Sequence, residues 1–420
     1  MEPAEIREPG RIRRLAIDLG PLRRHPAFRR LFIGQTISTF GSEIAAVAAP
    51  FQLYQLTHST LQVGLLSLCE LFPLLTLTIV GGAVADAVDK RRLLLVTEVL
   101  LAFVALGFAF NASLAEPRVW AIYLLVTLAM SVFSLGVAGM NSVIPRLVGD
   151  EELSAAIAIE NVYGSTTNVA GPALAGLLIA VFSLRGAYLI DAATFTASLW
   201  SVWRLPPLAP AHDAGRPSLR TIREGFRFVK TKKVLLGMFL VDSNAMVFGM
   251  PRALFPALAL NRFHGGAGIL GLMYAAPYAG ALLASLLSGW TGHVRRQGLI
   301  VAIAAALWGV AITAFGFAES LWLALLLLAA AGAADNVSAV LRGTILWRVT
   351  PDSLRGRVSG IEFAQVAATP ALGNVESGLV ASLTSLRFSI VSGGLACVAG
   401  TFLIALAIPA FIRYDAHARE

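Results

Sequence analysis

Long apolar stretches separated by short polar ones run along most of this chain. They cover 28–56, 61–87, 92–114, 119–144, 154–183 and 186–203, and, after a polar interval, 234–260, 267–291, 298–317, 320–346, 354–383 and 386–412. Each is close to or longer than the roughly 20 residues that a helix needs to cross the hydrocarbon of a bilayer. Lipid offers the backbone no hydrogen-bond partners, so such segments cross as helices. The pattern predicts an all-α membrane protein of about twelve transmembrane helices.

The polar connections carry the orientation. With the loops assigned alternately to two sides, one side collects 27 of the 33 Lys and Arg, and the other only Arg118, Arg185, Arg262 and Arg387. Arg252 and Arg342 fall within spans. Cytoplasmic loops retain positive charge. Both termini and the central interval are therefore expected in the cytoplasm, as for a multi-pass protein of the bacterial inner membrane. The first 27 residues carry six Arg and no apolar run, so no cleaved signal peptide is expected.

The two halves of the pattern resemble copies of each other. A shift of 207 residues places Phe32 on Phe239, Gly64 on Gly271 and Gly82 on Gly289; near the end of span four the matching shift is 201. Parallel repeats of six helices, related by an axis along the membrane normal, place a binding site between them near the midplane. The expected organisation is a basic N-terminal segment 1–27, a six-helix bundle 28–204, a linker 205–233, a second bundle 234–413 and a tail 414–420. In the linker, Leu219, Ile222, Phe226 and Val229 recur at helical spacing among basic residues, which predicts an amphipathic helix at the membrane surface.

Composition agrees. Charged residues make up 14% of the chain and the mean hydropathy is +0.73. That charge content is too low to cover a water-facing surface. The net charge of +8 lies in the loops of one side, so it reads as topology and implies no nucleic-acid partner. Cys69 and Cys397 both sit in apolar runs, and neither a disulfide framework nor a metal site follows. The His-Glu-x-x-His, Gly-x-Ser-x-Gly and Gly-Lys phosphate-loop signatures are missing, so no enzyme, cofactor or ATP-driven pump is expected.

Between spans two and three stands Gly82-Ala83-Val84-Ala85-Asp86-Ala87-Val88-Asp89-Lys90-Arg91-Arg92. It resembles motif A of the major facilitator superfamily, with Asp89 in place of a late glycine. Pro351–Val358, Phe28–Gln35 and Pro145-Arg146 resemble the branch that contains the enterobactin exporter and related drug-efflux carriers. The resemblance implies the major facilitator fold of two pseudo-symmetric six-helix bundles. It also implies a gate in which Gly82, Asp86, Lys90 and Arg91 meet the start of span eleven near Arg355 and Arg357, where a helix N-terminus favours a carboxylate. Asn168, Gly171, Pro172 and Gly176 of span five resemble motif C, which marks exporters. Gly164, Asn168, Gly171 and Ala175 are expected to pack on Pro277, Ala281, Ala284 and Ser288 of span eight.

Charged side chains inside a bilayer are costly, and each is a functional candidate. In the family's fold, spans one, four, seven and ten line the cavity, which selects Glu43, Asp242 and Asp335 ahead of Glu70; Gln35 is a polar candidate. Glu43, in the central part of span one, is the expected proton-coupling residue. Glu98, closer to the basic side, is expected to pair with loop arginines. The reading is a monomeric secondary transporter that exports a drug-like or siderophore-class small molecule by alternating access in exchange for protons. Its partners are the substrate, protons and the bilayer. A proton-coupled importer of a small metabolite with the same fold is the alternative.

Overall fold

A computed structural model describes residues 18–206, 208 and 219–416. Most of 1–27, the linker positions 207 and 209–218, and tail residues 417–420 lie outside the described residues. Of the gate candidates Gly82 and Asp86 only the helical backbone is described.

Twelve spans follow one another among the described residues. Spans one to four are Pro26–Thr57, Thr60–Ala87, Lys90–Ser113 and Val119–Val148. Proline at the start of span one suits the first helical turn, where its missing N–H would have no partner. Spans five and six form one helical run, Leu153–Trp203, bent at Ser183, whose φ of 62° is left-handed. The expected gap of two residues between them is therefore a single reversed residue. The linker helix Leu219–Thr231 follows, and then span seven begins as Lys233–Phe248. Spans eight to twelve are Gly266–Leu286, Gln297–Phe317, Leu321–Val349, Asp352–Leu383 and Leu386–Ala407. Span eight is shorter than expected, because a 3₁₀ turn over Ser288–His293 replaces its last part.

Span seven is not the continuous helix its hydropathy predicts. It stops at Phe248, crosses Gly249-Met250-Pro251, and resumes as Arg252–Leu254, Phe255–Ala257 and a π-helical Leu258–Arg262. Pro251 has no N–H to continue the ladder. The freed backbone groups find other partners: Trp308 Nε1 donates to Gly249 O at 2.9 Å, and Ala253 N–H donates to Asn374 Oδ1 at 3.2 Å. Broken helices of this kind are tolerated in membranes where protein or a cavity surrounds them.

The repeat reappears in three dimensions. A methyl group added to Gly64 would lie 2.3 Å from Asn374 O, and one added to its repeat mate Gly271 would lie 2.4 Å from Pro172 O. Gly378 would meet Thr60 O at 2.5 Å, and Gly176 would meet Ala267 O at 2.5 Å. Span two thus packs on span eleven as span eight packs on span five, with backbones touching where only glycine fits. The span-eight partners differ from the expected set. Ala267 and Gly271 make the seam, while Pro277 instead packs on Gly332 of span ten.

These seams all lie at the end away from the basic loops. Among the described residues, three side-chain hydrogen bonds cross between the halves there: Thr60 Oγ1 to Gly378 O, Asn374 Nδ2 to Ser67 Oγ and Asn261 Nδ2 to Tyr54 Oη, at 2.8–2.9 Å. Two turns nearer the basic end, a methyl on Gly164 would meet no atom within 4 Å. Among the described residues, the halves touch at one end and part toward the other.

Candidate functional site

Span five brings Gly171 under span one, where an added methyl would lie 2.6 Å from Glu43 Cγ. The absence of a side chain there lets Glu43 lie against span five and face a cavity of about 320 Å³ inside the first bundle. Glu70 and Asp191 line the same cavity, with Met130, Phe133 and Phe195 among its apolar walls. Three carboxyl groups therefore meet within one bundle. Asp191 is 2% exposed and its Oδ1 has no hydrogen-bond partner. The sequence reading passed over Asp191, although an acid inside an apolar span was the available signal.

The second bundle holds a cavity of about 410 Å³ lined by Arg252, Tyr274, Tyr278 and Asp335, with Phe255 and Trp308. Arg252 leaves the break in span seven and lies 5.0 Å from the Tyr274 ring centre, with Nη1 3.4 Å from Tyr278 Oη. The turn Arg252–Leu254 that carries it packs against span two, the helix of Glu70, across the junction of the halves. Arg252 is not among the candidates the sequence selects, although a cation within an apolar span is a signal of its own.

Asp242 and Asp335 converge on one residue, Arg342. It pairs directly with Asp242 and approaches Asp335 at 3.7 Å. Gln365 Nε2 also donates to Asp242 Oδ2 and Ser243 Oγ, each at 3.0 Å. Asp242 is 5% exposed, so it sits in a buried ion pair, whereas Asp335 is half-buried at the cavity wall. Gln35, the repeat mate of Asp242, turns into its own bundle, donating to Glu98 Oε1 at 2.9 Å and Ser198 Oγ at 2.8 Å. This corrects the expected pairing of Glu98 with loop arginines. Glu98 is 6% exposed, and its helix rotation aims it at span one.

Among the described side chains of the candidate gate, Arg91, Arg355 and Arg357 have partners in their own half or in the linker helix. Asp89 caps span three, accepting from Arg92 N–H at 3.0 Å, and its other oxygen accepts from Leu208 N–H at 3.0 Å. Lys90 is buried and its N–H donates to Leu208 O at 3.1 Å; Arg91 donates to the Trp203 carbonyl. The aspartate that departs from the motif thus fastens the chain leaving span six to the start of span three. Across the cleft, Arg355 pairs with Asp352 at 2.7 Å, and Arg357 pairs with Glu224 of the linker helix at 2.7 Å. That helix docks on span eleven, with Gly225 against Ile361 and Arg357 and with Val229 buried. Of the motif C residues, Pro172 and Gly176 form the span-eight seam, Gly171 seats Glu43, and Asn168 is exposed.

Two six-span bundles joined at one end, each with charged residues facing a cavity, form the frame of an alternating-access carrier. Residues 16–420 match the family described as transmembrane secretion effector, a branch of the major facilitator superfamily. The chain belongs to this family. It is 32% identical over 391 residues to the enterobactin exporter EntS of Citrobacter koseri, covering 93% of this chain and 94% of the relative. It is also 32% identical to EntS of Escherichia coli O1:K1, over 92% and 93% of the two chains. Among solved structures, the nucleoside transporter NupG superposes with a TM-score of 0.72 at 12% identity, covering 92% of this chain and 99% of that one. A bacterial homologue of the iron transporter ferroportin, solved in an inward-facing state, gives 0.67 at 16% identity, covering 92% and 98%. These structures share the fold. The chain is a multi-pass membrane transporter and not an enzyme.

Proposed function

We propose that this transporter exports a small molecule of the drug-like or siderophore class by alternating access, in exchange for protons. It acts as a monomer in a bacterial inner membrane, with both termini and the 205–233 linker in the cytoplasm. Export is supported by the family description and by the exporter relatives. In this orientation the structure is open to the cytoplasm, the side from which an exporter loads.

The observation that carries proton exchange is the position of Glu43, facing a cavity beside Glu70 and Asp191. A carboxylate in low dielectric is costly as an anion and gains from taking a proton. Glu43 takes a proton from outside, releases it inside, and is then free for a substrate cation or hydrogen-bond donor. Gly82, Asp86, Lys90 and Arg91 gate the opposite state. When the cytoplasmic end closes, Asp86 meets the start of span eleven, and Arg355 and Arg357 contribute the positive charge.

Glu43→Gln in vesicles with an imposed pH gradient tests the reading. Uphill transport is expected to disappear while downhill equilibration persists. Uphill transport at the wild-type rate would exclude Glu43 and move the role to Asp335 or Asp242. Mass spectrometry of medium from a deletion strain identifies the exported compound. Loss of cellular uptake, with no compound lost from the medium, would favour an importer.

A further inference from the structure

Arg252 and Arg342 lie deeper within the spans than the arginines at the helix ends, and they differ in their partners. Arg342 is neutralised by Asp242 and Asp335. Arg252, among the described residues, makes no ion pair, although Asp335 lines the same cavity. An intramembrane cation faces a cavity or a partner, because lipid cannot solvate it. Arg252 has the cavity. Pro251 and the break in span seven aim it inward, and Asn374 secures the break by accepting the Ala253 N–H.

The walls around Arg252 select a chemistry. Tyr274 presents its ring 5.0 Å from the guanidinium carbon and Tyr278 at 5.9 Å, and these rings hold the cation without discharging it. Phe255, Trp308, Ile312 and Leu328 add an apolar lining. A planar guanidinium among aromatic rings matches a planar anion attached to an apolar or aromatic body. The cavity, about 410 Å³, is within the range of small-molecule sites.

We propose that Arg252, with Tyr274 and Tyr278, is an anion subsite of the transport cavity that takes the carboxylate or phenolate of an aromatic solute. Glu70, on the span-two helix that packs against the turn carrying Arg252, competes with the arriving anion for this charge. The subsite deepens the transport reading and rests on it. It does not depend on the direction of transport or on proton coupling.

The test is equilibrium binding of radiolabelled benzoate to the purified full-length chain in lipid nanodiscs, with benzamide as the neutral isostere. Wild type retains benzoate at millimolar concentration and prefers it to benzamide by roughly tenfold or more, the scale of a charge-assisted hydrogen bond. Arg252→Gln removes that preference and Arg252→Lys keeps part of it. Glu70→Gln, which removes the competing carboxylate, tightens benzoate several-fold. Equal binding of benzoate and benzamide by wild type, or no benzoate retention at millimolar concentration, overturns the subsite. The comparison of the two ligands on wild type needs no variant, so it holds even if Arg252→Gln fails to fold. Failure of this binding test alongside normal export would dismiss the subsite and leave the transport reading standing.

Discussion

Asp242 and Arg342 form a pair that neither residue announces alone. Span seven carries the acid, span ten the base, and Gln365 of span eleven holds the acid's second oxygen. Removing one member of a buried pair leaves a charge without compensation, at a cost of about 3–5 kcal/mol. Arg342→Gln is therefore expected to lower thermal stability sharply and reduce expression. Adding Asp242→Asn should restore much of the loss, because both charges are then gone. A double-mutant cycle on melting in detergent measures this. Strictly additive losses would show that the pair is not coupled. Glu43 and Arg252 differ from this pair, since each lines a cavity and, among the described residues, neither has an ion-pair partner. Function is expected where a charge is kept at such a cost without being neutralised.

The seams between spans show what the helices do as units. Gly271 lies against Pro172 and Gly176 with no room for a side chain. In Gly271→Val the branched side chain overpacks the seam by roughly 1–3 kcal/mol. That penalty falls on the closed outer end alone, so the population shifts toward the state open on that side. Spin-label distances across the outer end should lengthen and those across the basic end shorten. An unchanged distance distribution would show that the seam does not control the two-state balance. The linker helix adds a constraint at the other end. Glu224 and Gly225 hold it on the start of span eleven, where Arg357 is needed if the gate is to close. Closure then requires Arg357 to exchange Glu224 for another partner.

At the scale of the molecule, two bundles share one plan but not one chemistry. The first cavity collects carboxyl groups, and the second holds an arginine that makes no ion pair among the described residues, with Asp335 on the same wall. The proposed orientation in the membrane rests on the 27-to-4 distribution of basic residues between the two sides. Gly215→Cys, in a background without Cys69 and Cys397, checks it. An impermeant thiol reagent should leave intact cells unlabelled and label the site after lysis. Strong labelling of intact cells would invert the topology.

The number of spans, the twofold repeat and the family motif were legible from residues 26–412, because each depends on local order along the chain. Apolar length sets whether a segment crosses, and the repeat conserves spacing. Even Gly64 and Gly271, matched first as letters, prove to be equivalent contacts. Partner choice was not legible. Glu98 meets Gln35, Asp242 meets Arg342, and Pro277 meets Gly332 because helix rotation decides which face turns inward. Rotation is a property of packing among several spans, and no single stretch encodes it. The break in span seven belongs to the same class. Pro251 marked it in the sequence, but only Trp308 and Asn374, from spans nine and eleven, supply the hydrogen bonds that let it persist and turn Arg252 toward the cavity.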